Sequence, residues 1–170
     1  MAKALFLDRD GTINIDYGYV FEAERFDFVD GIFDLCRAAQ SKGFKIIVCT
    51  NQSGIARGYF TEADFQKITA HMTDEFARRD IEITDVFHCS TLDGIDRKPN
   101  TGMFVKARDK HGIDMAASIS LGNSERDVIA GINAGVGKNY LLSGKKIADP
   151  ICPVVSNCRE LAELIEKGVE

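Results

Sequence analysis

Short apolar runs of strand length alternate along this chain with segments of helical period, and that alternation leaves few folds open. Ala4-Leu5-Phe6-Leu7, Phe44 to Cys49, Ser118 to Leu121 and Tyr140 to Leu142 read as strands, and Asp85 to Cys89 as a weaker one. Between and after them, Gly31 to Ser41, Thr61 to Arg79, Thr101 to His111, Ser124 to about Gly135 and Glu160 to Lys167 read as helices. Asp30 and Thr61 stand at capping positions, and Gly43 stops the first helix. The strands are apolar almost throughout, so both of their faces must be covered. The expectation is an α/β fold: a single doubly wound, mostly parallel sheet with helices on both faces. At 170 residues, one domain spanning 1–170 is expected, and 45% hydrophobic content fills its core without disulfides or a structural metal.

The charge balance narrows the partners. A net charge of −5 and a pI near 5.3 argue against a nucleic-acid binder, which needs a basic surface, but leave room for a small basic pocket. No apolar run approaches the ~20 residues of a membrane span. Asp8 ends the N-terminal apolar stretch too early for a secretory signal. The cysteines (Cys36, Cys49, Cys89, Cys152 and Cys158) are odd in number and form no C-x-x-C pair. A reduced, cytoplasmic protein without membrane or nucleic-acid partners is expected, and a monomer is favoured.

Function is read from where the polar residues fall. Asp8-Arg9-Asp10-Gly11-Thr12 follows the first strand directly, Thr50-Asn51-Gln52-Ser53-Gly54 follows the second, and Gly122-Asn123-Ser124-Glu125-Arg126-Asp127 follows a later one. In open α/β sheets the ligand crevice lies beyond the carboxyl ends of the strands, so these segments meet at one rim. Any single polar segment is explained by the need to turn the chain. Two aspartates pinned between a buried strand and a glycine are explained poorly that way, because clustered carboxylates repel unless something neutralises them. Mg²⁺, a hard cation that takes oxygen ligands, is the natural neutraliser and brings phosphoryl chemistry within reach. Lys98 supplies a cation for the transferring group, and Thr50 and Asn51 supply short donors that hold it.

These residues also carry a family resemblance. FLDRDGT resembles the first motif of the haloacid-dehalogenase (HAD) phosphatases, VCTNQSGIARG the second, RKPNTGM the third and LGNSERD the fourth, in order over about residues 4 to 135. The longer phrases TNQSGIARGYF and RKP are similar to the capless D-glycero-D-manno-heptose 1,7-bisphosphate phosphatases and the related histidinol-phosphate phosphatases. The resemblance implies a HAD-like core without a large cap and a phosphomonoester hydrolase working through an aspartyl-phosphate. It implies Asp8 as nucleophile, Asp10 as general acid and then base, Thr50 and Lys98 as the other catalytic groups, and Mg²⁺ on Asp8, Asp10 and the position of Asn123. The implied substrate is a small phosphorylated sugar, with the heptose bisphosphate first and histidinol phosphate as the alternative.

Two departures stand out. The fourth motif ordinarily begins Gly-Asp, and here Asn123 follows Gly122, so the ligand keeps an oxygen but loses a charge. Asp127, one turn later, is a further candidate metal ligand, directly or through water. Many relatives carry a zinc loop of spaced Cys and His before the Arg-Lys-Pro, whereas only the adjacent His88 and Cys89 stand here, so no zinc is expected. Arg57 and Arg97 flank the second and third motifs and suit a second phosphate. With Asn51, Gln52 and Ser53 they form the expected substrate-binding set. Asp16, Tyr17 and Tyr19 of the long loop from Asp8 to Asp30 either line the entrance or lie on the surface.

Two competing readings remain. Asn123 favours a phosphosugar-binding protein of this fold with weakened catalysis. A receiver-type signalling domain also uses Asp, Thr and Lys, but receivers are shorter and lack Asp-x-Asp-Gly-Thr after the first strand. Other signals carry little. Gly135-Val136-Gly137-Lys138-Asn139 fails the phosphate-loop pattern at both ends, and Tyr19 stands where an EF-hand needs its glutamate. His71, His88 and His111 are isolated, and Cys36 and Cys49 read as packing thiols.

Overall fold

The computed structural model describes residues 1–168; positions 169–170 of the expected domain lie outside the described residues. Six strands, β1 (Lys3–Leu7), β2 (Phe44–Asn51), β3 (Ile83–Cys89), β4 (Ile119–Gly122), β5 (Lys138–Leu142) and β6 (Val154–Val155), form one sheet in the order β3-β2-β1-β4-β5-β6. Every pairing is parallel. The order reverses direction at β1, the position where open sheets of this kind part to admit a ligand.

Alternation along β1 shows why both faces are covered. Leu5 and Leu7 pack with Ile46, Val48, Ile119 and Leu121 beneath α1 (Ile32–Ser41), α3 (Glu62–Ala77) and α6 (Cys158–Glu166). Ala4 and Phe6 pack the other way with Ile47 and Cys49, beneath α4 (Gly102–His111) and α5 (Glu125–Asn133). All four of these β1 side chains are at most 1% exposed, and burial on this scale contributes ~25 cal/mol per Å² of apolar surface.

The long loop after β1 is packed rather than loose. The Arg9 carbonyl accepts N–H groups from Thr12, Ile13 and Asn14, and Ile13, Val20 and Phe26 are buried in the core beside α1 and α3. Thr61 caps α3 in a reciprocal box with Asp64, as its position suggested. Asp30 does not cap α1. Gly31, at φ 80°, takes the cap position, and Asp30 is drawn instead to the Arg159 guanidinium at 2.8 Å. A bidentate ion pair at that point outcompetes a cap bond to a neutral N–H. α6 begins earlier than its periodicity indicated because Asn157 accepts from the Glu160 N–H. The four-residue helix α2 (Ser53–Ala56) and the two-residue β6 are too short to show a sequence period.

Candidate active site

Asp8 is the first residue past β1, and its N–H donates to the Leu121 carbonyl of β4. Its carboxylate therefore stands between the ends of β1, β2 and β4. Lys98, carried on the β3–α4 connection, is 3% exposed and sends its ammonium to Asp8 Oδ1 at 2.8 Å, to Asp127 Oδ1 at 2.7 Å and to the Cys49 carbonyl at 2.7 Å. Burial pushes the Asp8 carboxyl up to about 7; Lys98 pulls it down, and the negative charges of Asp127 and Asp10 add to the rise. For Lys98, burial works against the charge, yet Asp8 and Asp127 outweigh it and hold the ammonium above its ordinary value. Lys98 is thus a permanent cation within the site.

Asp10 is held by three side chains. Arg9 donates to its Oδ1 at 2.9 Å, Asn14 to the same oxygen at 3.1 Å, and Gln52 to its Oδ2 at 2.8 Å. Arg9 is almost fully buried, donates also to the Val20 carbonyl, and lies over the rings of Phe26 and Phe65. Gly11 makes the close turn possible. It has φ 86°, and a Cβ there would lie 2.1 Å from the Asn123 amide nitrogen.

The end of the Asn123 amide lies 3.2 Å from both the Asp10 carbonyl oxygen and Asp8 Oδ2. With its NH₂ turned inward, the amide donates to both. With its oxygen inward, three oxygens face one another, an arrangement that a cation stabilises. The donor set of one carboxylate, one carbonyl and one amide fits a hard oxygen-seeking cation such as Mg²⁺. Among the described residues no group of three His, Cys, Asp or Glu side chains is suited to a metal. Asp127 shows why: its Oδ1 takes Lys98, and its Oδ2 takes the N–H and hydroxyl of Ser124 in the box that starts α5. It lines the same cleft as Asp8, Asp10, Lys98 and Asn123, but its oxygens are already engaged.

The second motif divides in two. Thr50 is buried and its hydroxyl accepts from Gln52, which thereby bridges Thr50 and Asp10. Asn51 bonds the Lys98 backbone in both directions, donating to its carbonyl at 3.1 Å and accepting from its N–H at 3.0 Å. Asn51 therefore fixes the loop that delivers Lys98. Asn51, Gln52, Ser53, Arg57 and Arg97 line a cavity of about 410 Å³ that opens beside Asp10. Asp16 and Tyr19 also line it, while Tyr17 turns its hydroxyl to Asp27. Cys49 lies in the core, its thiol pushed by burial up to about 12. His88 pairs with Glu62 at 2.7 Å and His111 with Asp85 at 2.7 Å, both outside the cleft.

Sequence reasoning passed over Arg9, Asn14 and Arg126. Arg9 stood out only as the charged residue between two aspartates, and Asn14 as a polar residue in a long loop. Arg126 sits in the first turn of α5 and lines both the cleft and the wider cavity.

A parallel sheet with paired aspartates after its first strand, a buried lysine bonded to the first of them and a polar cleft at the switch point defines a HAD-type phosphatase. The family model described as polynucleotide kinase 3 phosphatase matches residues 4–143, and the chain belongs to this phosphatase family. It is 44% identical over 166 residues to the D-glycero-alpha-D-manno-heptose-1,7-bisphosphate 7-phosphatase of Campylobacter jejuni, covering 97% of this chain and 96% of that one. It is 42% identical over 173 residues to the D-glycero-beta-D-manno-heptose-1,7-bisphosphate 7-phosphatase of Escherichia coli K12, covering 94% and 89%. Among solved structures, a HAD-like phosphatase from Mesorhizobium loti superimposes with a TM-score of 0.85 at 30% identity, covering 98% of this chain and 87% of that one. The D,D-heptose 1,7-bisphosphate phosphatase from B. bronchiseptica, solved with magnesium and phosphate, shares the fold at a TM-score of 0.85 and 24% identity, covering 97% and 98%.

Proposed function

We propose that this protein is a Mg²⁺-dependent phosphatase that removes the 7-phosphate of D-glycero-D-manno-heptose 1,7-bisphosphate and leaves the heptose 1-phosphate. The observation that carries this reading is Asp8, partly buried just past the end of β1, with Lys98 at 2.8 Å, Asp10 two residues on and a cavity bearing Arg57 and Arg97 beside it. The names of the relatives, which agree on this substrate and differ in the anomer, support the choice over histidinol phosphate.

In this reading an Asp8 oxygen bonds to phosphorus as the bond to the sugar oxygen breaks, and Asp10 gives that oxygen its proton. Asp10 then takes a proton from water, whose oxygen bonds to phosphorus while the bond to Asp8 breaks, releasing phosphate and restoring the carboxylate. Lys98 offsets charge on Asp8 and on the transferring group. Gln52, Arg9 and Asn14 keep Asp10 oriented, and Thr50 anchors Gln52. Asp8, the Asp10 carbonyl and Asn123 would hold Mg²⁺, whose positive charge would offset the repulsion between an anionic carboxylate and an anionic phosphate. Asp127 acts as a positioning residue for Lys98 rather than as a metal ligand. Ser53, Arg57 and Arg97 receive the sugar and its second phosphate. Five free cysteines fit a reducing, cytoplasmic setting, and among the described residues no helix is long and apolar enough to cross a membrane.

Phosphate release from the heptose bisphosphate and from histidinol phosphate, with Mg²⁺, tests the reading. Turnover should favour the bisphosphate and vanish in Asp8→Asn, and hydrolysis of a substrate whose 7-phosphate is isotopically chiral should proceed with retention at phosphorus, the outcome of two successive in-line displacements. Inversion at phosphorus would sink the covalent route. The neutral Asn123 supports one other reading, a phosphosugar-binding protein with weakened catalysis. That reading requires binding without turnover in the wild type and turnover in Asn123→Asp.

A further inference from the structure

The first turn of α5 holds a charge that the helix itself does not need. Helix N-termini favour anions, and Glu125 and Asp127 meet that preference, with Ser124 and Asp127 closing the cap. Arg126, between them, puts a cation at the unfavourable end. It is exposed, and among the described residues it forms no ion pair that would account for it. The neutral amide of Asn123 leaves no carboxylate three residues away to compete for the guanidinium.

Arg126 lines both the narrow cleft of Asp8 and Lys98 and the 410 Å³ cavity beside it. Arg57 reaches that cavity from the end of α2, after β2, and Arg97 from the loop after β3. Three guanidiniums from three separate connections thus face one space. The acids lining it are Asp10, already held by Arg9, Asn14 and Gln52, and Asp16, which accepts the Gly18 N–H. Like charges gathered on one wall raise its potential and draw in an anion of more than one charge. Arg97 gives only a long bond to the Thr91 carbonyl, so its fork, like those of the other two, remains available to a ligand.

We infer that Arg126 is a specificity-determining residue that grips the phosphate the enzyme does not cleave. It approaches from the α5 side, while Arg57 and Arg97 approach from the β2 and β3 sides. The inference rests on the bisphosphate reading above. It assigns recognition of the second phosphate to the helix that begins just after Asn123, so that seating this phosphate also seats the substrate against Asn123.

The test compares kcat and KM for the heptose 1,7-bisphosphate and for p-nitrophenyl phosphate, which has no second phosphate, in wild type, Arg126→Ala and Arg126→Lys. In Arg126→Ala the ratio of the two kcat/KM values should fall roughly 10- to 100-fold, as expected for losing a charge-assisted contact. The fall should appear in KM for the bisphosphate, and Arg126→Lys should recover part of it. A ratio unchanged within about twofold, whether because both substrates lose equally or because neither does, overturns the assignment while leaving the substrate reading intact. If the wild type hydrolyses p-nitrophenyl phosphate but not the bisphosphate, the substrate reading fails and the assignment falls with it.

Discussion

Lys98 Nζ lies 2.8 Å from Asp8 Oδ1, although 90 positions of sequence separate the two residues. The same ammonium reaches Asp127 and the Cys49 carbonyl, so one buried cation ties together the ends of β1 and β2, the start of α5 and the β3–α4 connection. A charge buried in this way is kept only when its partners are complete.

Removing that cation should therefore cost stability as well as activity. Lys98→Met leaves two carboxylates facing each other in a buried setting and should lower unfolding free energy by about 3–5 kcal/mol in urea titrations. Lys98→Met combined with Asp127→Asn should recover part of the stability and none of the turnover. A single variant as stable as wild type would show that the pair carries no structural role.

If Mg²⁺ binds as proposed, Asn123 should set its affinity. Asn123→Asp adds a carboxylate beside Asp8 Oδ2 and the Asp10 carbonyl. Mg²⁺ should bind at least roughly tenfold tighter by isothermal titration calorimetry, since an added unit charge ~4 Å from a cation is worth about 1 kcal/mol in water and more near a protein surface. The metal-free variant should melt below metal-free wild type because its added charge is then uncompensated. Unchanged affinity would argue that the Asn123 amide keeps its NH₂ toward Asp8.

The loop before Lys98 should fold without zinc. His88 is turned to Glu62, the Cys89 thiol lies 3.2 Å from the Thr91 hydroxyl, Thr91 bonds the Asp93 carbonyl, Asn100 bonds the Gly94 carbonyl, and Lys106 pairs with Asp96. Metal analysis of the purified protein should find zinc far below one per chain. A strong zinc chelator should leave the melting temperature in place, and a drop on chelation would disprove this.

Away from the site, Asp85 gives a pH-dependent contribution. Burial works to raise its carboxyl, but Lys110 and His111, each at 2.7 Å, prevail and hold it below the ordinary 3.8. A depressed folded-state value means stability that is present above the unfolded value and lost as pH falls through the folded one. Asp85→Asn should thus destabilise at pH 7, and the difference from wild type should shrink steadily below about pH 4. A constant difference across that range would show that Asp85 acts by shape alone.

Much of this was legible in order along the chain. Ala4 to Leu7 followed at once by Asp8 and Asp10 already places two carboxylates at the end of a buried strand, because strand burial and chain reversal are local consequences of residue type. The Thr61 cap was legible for the same reason. What depends on distant partners was not. Asp30 looks like a helix cap until Arg159, far along the chain, takes it. Nothing in the order of residues shows that the oxygens of Asp127 meet Lys98 and Ser124. Arg9 looks like a spacer until the fold buries it against Asp10, Phe26 and Phe65. Residue order alone establishes five of the six strands, their covered faces and most of the chemical groups at the rim, since these follow from periodicity and local turn chemistry. Which group each of them holds is settled by the fold, because a carboxylate or guanidinium has several potential partners and packing brings only some of them within hydrogen-bond reach.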